Sequence, residues 1–291
     1  MLALILLSGA LALGMAASSS AQTPPANIED VLTRVGERVA EFYKRARNVI
    51  CIETSTVQPI DFSNSPQGFA RTVESELRVE AANGPAPGEA SVVRRVRKVN
   101  GRVPRDADKK DRAGCTDPTP LSPEPLAFLL PVHRSEYRFT TGKMVTEKNR
   151  PVLMIDFATI DRRSQPELIE DPGGHDDCFD WSGHIAARGR IWIDAGSYDV
   201  LRVERGLPGP IDVDVPVLIE RRYHLPSWIV LVRDEMTIRY KTVTFSDPDD
   251  VLVLPESTDS VTVVRGGLES TRRKQMYSDY KRFVADGRVL P

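Results

Sequence analysis

The chain is poor in the residues and patterns that usually betray chemistry. It has four histidines in 291 residues, and it lacks a Gly-x-Ser-x-Gly elbow, a His-Glu-x-x-His pair and a glycine-rich phosphate loop. Hydrolase, zinc-peptidase and nucleotide-binding readings therefore have no motif to stand on, and no catalytic residue or cofactor is assigned. Charge of one sign is also missing: the formal net charge is −2, which gives no global attraction to nucleic acid or to an anionic membrane. Cysteine is scarce. Cys51, Cys115 and Cys178 are an odd set, so at most one intramolecular disulfide can form. Beyond the first residues, no apolar run approaches the roughly 20 residues of a bilayer span.

What is present begins with a leader. Residues 1–21 carry no charged side chain, and an apolar run from Leu2 to Leu13 gives way to small residues and Ser19-Ser20-Ala21. This is the layout of a secretory signal peptide cut after Ala21, leaving residues 22–291 as a single domain without a Gly/Ser linker. The absence of Lys or Arg ahead of the run keeps an uncleaved anchor as the alternative. A periplasmic or secreted location sets the expectation for the thiols. Cys51 lies in the apolar run Val49-Ile50-Cys51-Ile52 and reads as a small buried hydrophobe. Cys115 and Cys178 lie in polar loops, where an oxidising compartment favours pairing, so a Cys115–Cys178 disulfide is expected.

Residues 27–47 carry Ile28, Val31, Leu32, Val35, Val39, Phe42, Tyr43 and Ala46 at the spacing of one helical face, behind a capping Asn27. The opposite face mixes Glu37, Arg38, Glu41, Lys44 and Arg45, which fits a helix packed on a sheet better than one lying on a membrane. The pattern then changes to period two. Phe69, Arg71, Val73, Ser75, Leu77 and Val79 alternate with polar neighbours, predicting a half-buried antiparallel strand. Asn100-Gly101 predicts a tight hairpin between Ser91–Val99 and the residues from Arg102 onward. Ser122-Pro123 opens and Pro131 stops a short helix whose Leu126, Phe128, Leu129 and Leu130 are mostly buried, as a plug in the mouth of a curved sheet or as plain core.

Strands are expected at Arg134–Thr141 and Lys143–Ile160 around Gly142, the second apolar on both faces and so central. The strongest hairpin is Arg190–Asp194 returning as Asp199–Glu204 across Gly196. Val213, Val215, Val217 and Ile219 alternate with Asp212, Asp214, Pro216 and Glu220, predicting an edge or bulged strand at the proline. Further strands are expected at Ile229–Phe245, Val251–Leu254, Asp259–Arg265 and Thr271–Phe283. Long loops remain near 104–120 and 161–188, and loops of that length tend to be functional or disordered. The sum is about ten to twelve strands and two helices, an antiparallel α+β architecture.

Three groups of polar residues qualify as candidate sites. His175-Asp176-Asp177-Cys178 with His184 is the densest set of potential ligands, but its spacing does not bring three or four donors together, and no metal site is assigned. Asp212 and Asp214 would share one strand face, as the polar side of any amphipathic strand does. Nine basic side chains between Arg94 and Arg112 stand against Asp106, Asp108 and Asp111, a patch for anionic headgroups or acidic partners or an ordinary solvated sheet face. It lacks the aromatic residues that nucleic-acid stacking needs.

The Gly189-Arg190-Ile191-Trp192-Ile193-Asp194 strand, its return as Val200-Leu201-Arg202-Val203-Glu204, the amino-terminal helix and the closing Met276-Tyr277-Ser278-Asp279-Tyr280-Lys281-Arg282-Phe283 resemble a loose group of exported bacterial proteins related to the lipoprotein-localisation carriers. The resemblance implies a strongly curved, unclosed antiparallel sheet, an incomplete barrel, with the amino-terminal and the short helix over its concave face. In the carriers that concavity shelters lipoprotein acyl chains; no lipid-contacting residue transfers to this chain. The expectation is thus an exported, non-catalytic binding protein that holds an apolar ligand or a lipidated partner. The alternatives are an envelope protein-interaction module that uses sheet edges or the basic patch, and, more weakly, a hydrolase acting through the 161–188 loop.

Overall fold

The computed structural model describes residues 27–46, 48–81, 90–105, 124–160, 165–170, 179–183, 185–246 and 249–282. Helix α1 (Ile28–Ala46) starts where Asn27 Oδ1 accepts the Glu29 amide at 3.2 Å, satisfying one of the donors a helix leaves unpaired at its start. Its expected stripe is the buried one: Val31, Leu32, Val35, Val39, Tyr43 and Ala46 face the sheet. Helix α2 (Glu124–Ala127) continues as turns to His133. Leu126 and Leu129 are buried and Phe128 and Leu130 pack against the same core.

Thirteen strands form one sheet among the described residues. They are β1 (Val49–Ile60), β2 (Arg71–Ala81), β3 (Ala90–Val99), β4 (Tyr137–Glu147), β5 (Arg150–Thr159), β6 (Glu167–Glu170), β7 (Phe179–Ser182), β8 (Arg188–Asp194), β9 (Val200–Gly206), β10 (Ile211–Asp214), β11 (Trp228–Ser246), β12 (Asp249–Arg265) and β13 (Ser270–Arg282). The main path runs β3-β2-β1-β13-β12-β11-β9-β8-β5-β4, and its end strands β3 and β4 do not pair with each other. The sheet is antiparallel and unclosed, as an incomplete barrel requires. A side branch leaves β11 through β10 to β6 and β7, with the one parallel contact at Asp214 and Glu167.

One row of register partners crosses all ten strands of the main path: Thr141, Ile155, Ile191, Val203, Ile238, Thr258, Gln275, Ser55, Val73 and Val99. Directly paired residues point to the same side of a sheet, so this row defines the inner face, the one that α1 and α2 cover. Ile155, Ile191, Val203 and Ile238 form the main core with the helices. At Thr258, Gln275 and Ser55 the row is polar, and on β2 and β3 it is apolar again at Val73 and Val99. On the other side, Val152, Met154 and Trp192 form a separate apolar cluster, so β5 is covered on both faces as its sequence implies.

Several expectations need correcting. The Lys143–Ile160 strand is two strands: β4 runs through Gly142, and the chain turns at Lys148 and Asn149, whose φ values of 49° and 63° are left-handed without glycine. Arg134–Glu136 is a 3-10 turn instead of the start of a strand. Among the described residues, those after Asn100-Gly101 make only a single bridge, Val99 to Arg102, because Pro104 follows and cannot donate to a ladder. Phe69 is 96% exposed and does not join the buried face of β2. Pro255 does not end a strand. β12 passes through it with a bulge opposite Arg239 and Tyr240, which absorbs the proline's missing donor.

The strand predicted across Pro216 breaks there. β10 stops at Asp214 and helix α3 (Val217–Tyr223) follows, closed by a left-handed His224 whose amide bonds Glu220 O. Proline favours this, since its fixed φ suits a helix entrance and its missing amide does not matter there. The 161–188 stretch is not simply a loop, because β6 and β7 lie within it and bury Leu168 against Val213, Ile229 and Leu231.

Candidate functional site

Where α1 crosses the turns after α2, a glycine makes the contact possible. A Cβ on Gly36 would lie 2.7 Å from Arg134 Nη2 and 3.0 Å from Leu129 O. Arg134 Nη2 donates to Leu32 O at 2.8 Å and to Leu129 O at 3.4 Å, tying α1 to this segment. Phe128 packs at a tilt into an aromatic group, with ring centres 4.5 Å from Phe157 and 5.4 Å from Tyr137.

Toward its other flank, α1 leaves a cleft of about 280 Å³ between itself, α2 and strands β9, β11 and β12. Val39, Leu126, Val200, Tyr240 and Leu252 line it as buried residues, with Phe42 beside them. Its charged lining is ion-paired. Arg38 donates to Asp199 Oδ1 at 2.7 and 3.0 Å. Arg45 pairs with Asp250 and donates to Val251 O at 2.9 Å. Arg282 pairs with Asp250 in turn and donates to Arg45 O at 3.1 Å. Burial alone would raise the Asp250 carboxyl; the hydrogen bond from Arg45, the Val251 amide and the two guanidinium charges outweigh it and hold the group below its usual range. Tyr240 also lines the cleft; burial pushes its phenol up, and the phenol oxygen, closed off from solvent, has no hydrogen-bond partner among the described residues.

The polar part of the inner face is a second concentration of unusual residues. Glu53 is 1% exposed. It accepts Arg94 Nε at 2.9 Å and Nη2 at 3.3 Å, and Gln275 Nε2 at 2.7 Å. Buried Ser55, Ser75 and Gln275 lie on neighbouring rungs, and Ser55 Oγ and Ser75 Oγ have no hydrogen-bond partner among the described residues. Beside Glu53, burial and then the carboxylate's charge push the Cys51 thiol up to about 12. That thiol is therefore inert at physiological pH.

The residues singled out from sequence fare differently. Cys115, Cys178, His175, Asp176, Asp177 and His184 lie outside the described residues, as do the leader and Phe283. Asp214 accepts Gln165 Nε2 at 2.9 Å as a surface strand residue, and no three His, Cys, Asp or Glu side chains converge on a metal site among the described residues. The basic patch divides: Arg94 turns inward to Glu53 and Lys98 pairs with Glu74, while Arg95 and Arg97 are exposed. No described helix is long and apolar enough to cross a membrane.

Sequence reasoning missed Tyr240, the Arg38–Asp199 and Arg45–Asp250 pairs, and Glu53. Only Glu53 left a signal, as a carboxylate following Val49 and Cys51 on the buried side of β1.

No protein-family model matches the chain, and no curated protein does. Among solved structures, it is similar to a domain from Vibrio parahaemolyticus described as an outer membrane lipoprotein-sorting protein, with a TM-score of 0.42 and 11% identity. It is also similar to a DUF1329 family protein from Desulfovibrio piger, with a TM-score of 0.37 and 7% identity, and to a LolA superfamily protein from Nitrosomonas europaea, with 0.31 and 11%. Each likeness covers 89% of this chain and 94% of the other.

Proposed function

We propose that the chain is an exported, non-catalytic binding protein that holds an apolar ligand, or the lipid group of a lipidated partner, in the cleft between α1 and the inner face of the sheet. The observation that carries this reading is the pairing of a buried apolar lining with a border of satisfied ion pairs, Arg38–Asp199 and Arg45–Asp250. Small-molecule sites are concave and mostly apolar, with few polar groups. At about 280 Å³ the cleft falls just below the roughly 300–1,000 Å³ usual for such sites and takes a short ligand or one arm of a larger one. The resemblance to the lipoprotein-localisation carriers implies the same occupant.

The test is titration with N-phenyl-1-naphthylamine, a neutral dye that brightens in apolar surroundings. Saturable brightening is expected, weakened about tenfold or more when Val200→Trp fills the cleft, since that loss equals about 1.4 kcal/mol of binding. A dye signal absent from the folded protein, or identical in the variant, removes the reading. Native mass spectrometry after detergent-free purification would then name the natural ligand as an adduct.

A second reading, an envelope interaction module, draws on β4. This end strand is exposed along most of its length and has a partner strand on one side only among the described residues. Edges of that kind accept added strands. Crosslinking in cells separates the two: an extracted lipid supports the carrier, and a dominant protein adduct on β4 supports the module.

A further inference from the structure

Strand β4 ends the main path of the sheet, and its residues do not alternate strictly. Its pairing with β5 shifts between Thr141 and Met144, so Gly142 and Lys143 together stand opposite Met154 as a bulge, where a Cβ on Gly142 would lie 3.0 Å from Met154 O. On either side of the bulge the faces come in the same order. Thr141 and Met144 are on the inner side, opposite Ile155 and Leu153 of the main core, and Thr140 and Val145 are on the outer side, opposite Asp156 and Val152. The order runs on to Arg138 and Glu147, both outer and exposed. We propose that β4 pairs antiparallel with β4 of a second copy of this chain, about a two-fold axis through the bulge, joining two sheets into one.

Facing residues of an antiparallel pair lie on the same side of the sheet. In a strand that alternates without interruption, Thr141 and Met144 would lie on opposite sides and this self-pairing would be barred; the bulge is what permits it. Moving the register by one residue sets inner against outer along the whole contact, and moving it by two separates Arg138 from Glu147. In the matched register Arg138 faces Glu147 of the second copy, twice per dimer because an isologous contact repeats itself. Each Lys143 faces Gly142 of the second copy. A lysine and a bulge on an edge discourage indiscriminate strand addition, which leaves the matched copy as the favoured occupant. The opposite end of the sheet offers no such match: β3 carries Arg94, Arg95, Arg97 and Lys98 and no acidic residue, so two β3 edges side by side would repel. An axis upright on the sheet also turns both concave faces to the same side.

This pairing gives an occupant to the edge on which the interaction-module reading draws; it rests on that reading and is independent of the cleft. Sedimentation equilibrium of the native chain across a concentration series should show a reversible dimer. Arg138→Glu and Glu147→Arg should each weaken self-association about tenfold, since each turns two attractive facings into repulsive ones. An equimolar mixture of the two variants should dimerise at least as tightly as the native chain, because every facing between the unlike variants sets opposite charges together. Both positions are exposed, and recovery on mixing shows that both variants are folded. A native chain that stays monomeric up to its solubility limit overturns the inference, as do variants that associate like the native chain, or a mixture that gains nothing over its components. If the monomer still crosslinks to another envelope protein through β4, the pairing falls and the module reading stands; if β4 crosslinks to nothing, both fall.

Discussion

Two halves of one sheet face solve the burial problem in opposite ways. Beneath α1 and α2, strands β5, β8, β9 and β11 present Ile155, Ile191, Val203 and Ile238, and the helices cover them with Leu32, Val35, Leu126 and Leu129. On β12, β13, β1 and β2 the same face buries Thr258, Gln275, Glu53, Ser55 and Ser75 among the apolar Cys51, Val73, Leu77 and Tyr277, and the polar group is ordered by hydrogen bonding to Glu53 from strands on both sides of β1. Apolar packing is non-directional and tolerates gaps at its margin, which is where the cleft lies. A buried carboxylate is directional and demands defined partners. The difference teaches that a cleft forms in the half whose packing can spare a missing contact.

Three tests probe that contrast. The largest effect should come from Leu32→Ala, which removes a side chain 1% exposed at the centre of the helix-covered half. About 3 kcal/mol of unfolding free energy should be lost, measured in urea. A loss below ~1 kcal/mol would mean that the helix is not what this half is built around.

Next, Arg94→Ala should cost about 2 kcal/mol, because it leaves Glu53 buried with Gln275 as its remaining partner. The double change Glu53→Leu with Arg94→Met should recover most of that loss, since replacing both members of a buried pair by apolar groups is far less costly than stranding one. If the double variant is as unstable as the single one, the polar half depends on shape more than on charge pairing.

The smallest effect concerns the border. Asp250 has its folded pKa depressed by Arg45, Val251 and Arg282. A carboxyl of this kind binds its proton less readily in the folded state, so its stabilising contribution is complete above the ordinary carboxyl value of about 4 and is lost as pH falls through the lower folded value. In this partly solvated position that contribution is about 1 kcal/mol or less. Acid denaturation curves of Asp250→Asn should therefore converge with those of the native chain only at the acid end. A gap between the two that widens toward low pH would contradict the assigned sign.

Much of this could be read from the residues in order. The stripe from Ile28 to Ala46 and the return of β8 as β9 are local patterns, each settled within about twenty residues by periodicity and turn chemistry. What escaped was non-local or depended on backbone conformation. The turn at Lys148-Asn149 hides because left-handed lysine is uncommon and no glycine marks it. The bulge at Pro255 looks like a strand end because proline usually is one. Helix α3 occupies a stretch where four alternating residues imitated a strand. The cleft was illegible for a simpler reason: Arg38 and Asp199 are 161 positions apart and Arg45 and Asp250 are 205 apart. Tyr240 sits in a strand whose alternation would look the same whichever face it met.

The pairing of β1 with β13 carries a further consequence, for the order in which the molecule assembles. Val49 lies beside Arg282, and the ladder continues from there to Ile60 and Ser270. β1, the first of the described strands, thus waits for β13, the last of them, before it gains its second neighbour, and the two flanks of the sheet stay separate pieces until β13 has been made. Contacts so distant along the chain make for slow folding. A version cut short before residue 270 would keep the β1-β2-β3 ladder on one side and everything from β4 to β12 on the other, with no strand to join them.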